Sequence, residues 1–112
     1  MKDCIIDILG TLYEIKWLDS SEDEHLTEAD GYCDYTAKKI VIKSNNNTGL
    51  GDFENHQKKS LRHEIIHAML AESGLQSNFQ HSDEFGHDET MVDWVAIQFP
   101  KLLKVYQTLN II

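Results

Sequence analysis

Residues 63 to 67 read His-Glu-Ile-Ile-His. Two residues four apart on an α-helix are offset by about 40° and one turn, so both imidazoles can reach one metal ion. Glu64 advances about 100° from His63 and lies about 60° beyond His67 on the same side. A carboxylate there flanks a bound ion without taking a ligand position, where it can accept a proton from water. The chemistry this spacing supports is metal-assisted hydrolysis, with Glu64 as the general base.

Two imidazoles need a third protein ligand to make an open zinc site. Glu89-Thr90-Met91-Val92-Asp93 supplies a Glu-x-x-x-Asp pattern, in which Glu89 and Asp93 share one face of a second helix. Glu89 completes a His2Glu set and leaves the fourth position to water. Asp93 can accept the far N–H of a ligand histidine and so fix its tautomer. The plainer reading of both acids is a solvated face of an acid-rich chain, and the His-Glu-x-x-His pattern beside them is what favours ligation. Asp88 points about 100° away from Glu89, and Glu84 falls too near the helix start. His81, His87, Tyr32, Tyr35 and Tyr106 could each steady an oxyanion. Each also has an ordinary role, solvation for a histidine and packing for a tyrosine, and the sequence does not choose among them. His25 and His56 read as surface residues.

The pattern needs a helix beneath it, and a helical period runs from Phe53 to about Ser73-Gly74, where Gly74 can act as the stop. Leu61, Ile65, Ile66, Met69 and Leu70 fall opposite the His/Glu arc and predict the packed face, while Ala68 and Ala71 leave room near the arc. A second helix is predicted from Asp83 or Glu84 to Phe99. Pro100 should end or kink it, with another helical piece over 101–109. Ahead of these, residues 3–17 read as two strands or one bent strand broken at Gly10, and residues 19–30 as an acidic loop or short helix. Residues 31–43 read as a hairpin turning near Thr36-Ala37-Lys38. In its second arm Ile40 and Ile42 alternate with Lys39, Val41 and Lys43, which predicts one buried face. Strands first and helices afterwards give an α+β domain, a small antiparallel or mixed sheet on two principal helices.

The chain has 112 residues, enough for one domain over 1–112 with one modest core. With 19 acidic against 10 basic residues its formal charge is −9, which disfavours nucleic acid and anionic lipid as partners. No apolar run is long enough to span a membrane, and the first residues lack the blocks of a signal peptide, so a cytoplasmic protein is expected. Cys4 and Cys33 belong to no Cys-x-x-Cys pair and read as buried thiols, neither a metal ligand.

At the His-Glu-x-x-His and Glu-x-x-x-Asp stretches the chain resembles the gluzincin peptidases. More narrowly it resembles the small, phage-associated ImmA/IrrE-like metallopeptidases. Their second helix is of the type Glu-x-x-Ala-Asn/Asp-x-Phe-Ala followed by Pro, and here it stands as Glu89-Thr90-Met91-Val92-Asp93-Trp94-Val95-Ala96 with Pro100 beyond. The resemblance covers about residues 53–100. It implies a zincin-like fold and a Zn2+ peptidase acting on a protein or peptide substrate, such as a repressor. A rival from another class is a metal-stabilised module that binds a partner without cutting it. Such a site needs ligands but no base, so the presence of Glu64 speaks for hydrolysis. A metal hydrolase acting on a non-peptide bond is a third option.

Overall fold

The computed structural model describes residues 1–77 and 89–112, apart from the side chains of Glu89, Val92, Asp93 and Ala96. Four strands, β1 (Cys4–Ile8), β2 (Thr11–Leu18), β3 (Gly31–Asp34) and β4 (Lys39–Lys43), form one sheet in the order β1-β2-β4-β3. Two 20-residue helices, α1 (Phe53–Glu72) and α2 (Glu89–Thr108), complete an α+β domain. The break at Gly10 becomes a hairpin because Leu9 and Gly10 both adopt positive φ, 53° and 93°, the turn that matches strand twist. β1 pairs antiparallel with β2, β2 parallel with β4, and β3 antiparallel with β4, so the sheet is mixed.

Side chains of one face, Ile6, Ile8, Tyr13, Ile15, Ile40 and Ile42, meet Leu61, Ile65, Ala68 and Met69 of α1 and Leu102, Val105 and Tyr106 of α2. Helix α1 starts where the Asp52 carboxylate accepts the Asn55 amide, and it ends at Ser73, before Gly74 at φ 81°. Its packed face is rotated from expectation. Ile66 is exposed and Leu70 only half-buried, whereas Ala68, expected beside the polar arc, is fully buried. The sheet therefore lies nearer the Glu64 side of the helix than the apolar pattern alone suggests.

Two further expectations are corrected. The second arm of the hairpin, β4, is buried on both faces, Val41 and Lys43 included. The outer face is covered because the acidic segment folds over it. Tyr32, the register partner of Val41, donates its hydroxyl to Asp23 at the start of a 3-10 turn (Glu24–Thr27), and Leu26 of that turn is fully buried. Lys43 is held by Asn47 at 3.3 Å and by Asp30 at 3.7 Å. The expected start of the second helix at 83 or 84 lies outside the described residues. Pro100 neither ends nor divides α2, which runs on to Thr108 with Pro100 exposed. A proline costs a helix one amide hydrogen bond and crowds one carbonyl, and the packing of Leu102, Val105 and Tyr106 holds the helical path regardless.

Helices α1 and α2 run antiparallel. Trp94 Nε1 donates to Ser73 Oγ at 3.0 Å, Tyr106 donates to the Arg62 carbonyl at 3.0 Å, and Arg62 reaches the Ile111 carbonyl at 2.6 Å. No helix among the described residues is long and apolar enough to cross a membrane. Cys4 and Cys33 are free thiols, each half-buried.

Candidate active site

The rotation of α1 is fixed at its last turn. Glu72 accepts Tyr13 Oη at 2.7 Å, Lys38 Nζ at 2.7 Å and Thr11 Oγ1 at 3.0 Å, all from the sheet and its turn. Lys38 and Tyr13 hold the Glu72 carboxyl below the usual range, and burial with the Glu72 contact raises Tyr13. Glu72 follows His63 by nine positions, about 180° round the helix. Pinning Glu72 to the sheet therefore turns His63 and His67 away from the core, and both are exposed.

The two imidazoles converge. Their Nε2 atoms lie 3.1 Å apart, and their rings meet edge to face with centroids 4.8 Å apart. Two nitrogens bound to one tetrahedral zinc at their usual bond lengths stand roughly 3.3 Å apart, so the observed pair fits such an ion with little movement.

Glu64 sits between these rings and the sheet with 8% of its surface exposed. Burial raises its pKa, and the electrostatic influence of His63 and His67 opposes that rise. The cover comes from β3. A Cβ added to Gly31 would stand 3.6 Å from Glu64 Cγ and only 2.8 Å from the Val41 carbonyl oxygen and from Ile42 Cδ1. The missing side chain lets the strand close on the carboxylate. Two positions along, Cys33 has its thiol pushed up to about 12, mainly by burial and next by the Glu64 charge. Sequence reasoning passed over Gly31 because nothing in the chain marks its nearness to Glu64.

β3 is also the sheet edge beside the site. The Lys43 amide donates to the Asp30 carbonyl at 3.0 Å, which makes Asp30 and Lys43 a hydrogen-bonded pair. Antiparallel pairing alternates, so Tyr32 and Asp34 bond to β4 while the N–H and C=O of Gly31 and Cys33 point outward. β4 is thus an interior strand of the sheet, and β3 lies at its edge.

The remaining candidates separate. Glu89 opens α2 and Asp93 lies one turn on, their side chains outside the description. His81 and His87 lie outside the described residues. Tyr106 is buried on the Arg62 carbonyl, and Tyr32 is turned to the outer face by Asp23, its pKa raised to about 12 by burial and that carboxylate. Tyr35 stands exposed after β3. Among the described residues no group of three or more His, Cys, Asp or Glu is assembled to hold a metal. No protein-family model, curated protein or solved structure matches the chain.

Proposed function

We propose that this protein is a zinc-dependent peptidase that hydrolyses a peptide bond in a protein substrate, with a zincin-like site of the kind its ImmA/IrrE-like sequence pattern implies. The observation that carries the reading is the pair of converging imidazoles, 3.1 Å apart, beside a carboxylate that is buried yet unpaired with any lysine or arginine among the described residues. His63, His67 and Glu89 would hold the metal, and Asp93 would orient one of the imidazoles. Zinc bound there supplies a Lewis acid that makes water a nucleophile near neutral pH and polarises a carbonyl.

The chain's own residues do the rest. Glu64, buried beside the two imidazoles, is placed to take a proton from attacking water and return it to the leaving amine. Gly31 and Cys33 offer backbone groups to an extended substrate, which would lie along β3 within reach of Glu64. The rival, a metal-stabilised binding module, has no use for that desolvated base.

The test is incubation of zinc-loaded protein with a proteome-derived peptide library, read by mass spectrometry. Wild type should generate new termini. Glu64→Gln, near-isosteric but without basicity, should keep its zinc and generate none. Zinc-loaded wild type that cuts no peptide or folded partner would leave the binding-module reading in its place.

A further inference from the structure

We infer that the zinc site is completed between two copies of this chain, with Glu89 of one copy closing the histidine pair of the other. This rests on the metal reading of His63, His67 and Glu89 and adds where the third ligand comes from.

Two hydrogen bonds fix how far α2 lies along α1. Trp94 Nε1 donates to Ser73 Oγ, and Tyr106 Oη donates to the Arg62 carbonyl, each at 3.0 Å. The interval is 12 residues on α2 (94 to 106) and 11 on α1 (62 to 73), so the helices stay in step between the two bonds. His67 lies six residues before Ser73, about 9 Å back along α1. Glu89 lies five residues before Trp94, about 7.5 Å back along α2. Because the helices are antiparallel, these distances run in opposite directions and add.

The Cα atoms of Glu89 and His67 therefore stand roughly 16 Å apart along the helices, before any sideways separation is counted. The indole leans toward the start of α2, which takes back a few ångström. The imidazoles lean toward the start of α1, away from Glu89, which returns as much. Two zinc bonds span about 4 Å, and a glutamate and a histidine side chain add at most about 5 Å each, about 14 Å if every part lay on one line. Glu89 thus falls short of the pair in its own chain, and His63 is a further turn away. After Asp93, α2 carries no acid, histidine or cysteine to take its place.

The histidine pair is open to a second chain. Both imidazoles are exposed, and so is Ile66. On α2 the exposed residues Phe99 and Val95 lie between the level of the histidines and that of Glu89. A two-fold axis across this stretch reverses both helices, which lays the Glu89 end of each copy at the histidine end of the other. Two identical sites then form at once, and the apolar residues between them lie within the contact. At a formal charge of −9 each, two copies repel, and two zinc ions offset part of that charge. Association should therefore depend on the metal.

Light scattering after size exclusion reads this on the full chain. Metal-free protein should run as a monomer of 12.9 kDa, one equivalent of zinc should bring it to about twice that mass, and chelator should reverse the change. Mixing decides whose glutamate is used. His63→Ala with His67→Ala keeps Glu89 but no imidazole, and Glu89→Ala keeps only the imidazoles. Each alone should lose tight zinc binding and stay monomeric, with circular dichroism confirming that each is folded. An equimolar mixture should recover one tight zinc per pair of chains, with the mass of a dimer. A mixture that recovers no zinc while wild type dimerises overturns the shared site. A wild-type monomer that holds one zinc also overturns it, leaves the peptidase reading in place, and returns the third ligand to the same chain, with Asp93 the nearest acid. Wild type that takes up no zinc at any protein concentration removes the metal reading, and the shared site with it.

Discussion

The Nε2 atoms of His63 and His67 stand 3.1 Å apart on the exposed side of α1, and the Glu72 carboxylate on the opposite side of the same helix is locked to Tyr13, Thr11 and Lys38 of the sheet. The lock sets where the imidazoles point. Disturbing either end should therefore be felt at the imidazole pair.

Purified protein should hold one zinc per chain. His63→Ala and His67→Ala should each abolish tight binding, and so should Glu89→Ala, by elemental analysis after dialysis. Full zinc occupancy in the Glu89 variant would transfer the third ligand position to another residue.

Asp93→Ala should keep the metal but weaken its affinity by roughly 10- to 100-fold, as loss of a ligand-orienting carboxylate does. Titration against a graded series of chelators measures it. An unchanged affinity would return Asp93 to the solvated face of α2.

Gly31→Val should destabilise the fold by about 1–3 kcal/mol, since its Cβ would meet the Val41 backbone oxygen at 2.8 Å and part β3 from β4. Gly51→Ala is the control, with nothing within 4 Å of the added carbon, and should change stability by no more than about 0.5 kcal/mol. Urea unfolding of the two variants side by side reads the difference. Equal stabilities would remove the close approach at Gly31.

Glu72 links stability to acid pH. Its folded-state pKa lies below the ordinary value because Lys38 and Tyr13 bond the ionised form. The contribution is therefore present above the unfolded pKa, near 4.5, and lost as pH falls through the lower folded value. Melting temperature, followed in the presence of chelator to silence the histidine site, should drop across that window in wild type. It should drop less steeply in Glu72→Gln. Parallel curves for the two proteins would show that the carboxylate adds nothing to the lock.

Local geometry explains what could be read from the chain. The four-residue interval from His63 to His67 places both rings together on any helix, and Asp52 with Gly74 marks where that helix starts and stops. The turn at Leu9-Gly10 and the hairpin turning near Thr36-Ala37-Lys38 were equally local. Alternation in β4 misled because it reports which residues could face water, while Leu26 and Tyr32 determine whether water is there. Pro100 misled because a local penalty was outweighed by the packing of Leu102, Val105 and Tyr106. Tertiary structure alone decided that Gly31 closes on Glu64, that β3 rather than β4 lies at an edge of the sheet, and that Trp94 joins α2 to Ser73. Each of these is a contact between residues remote in sequence, set by how the sheet orders its strands and how the helices lie across it, and no spacing along the chain encodes such a distance.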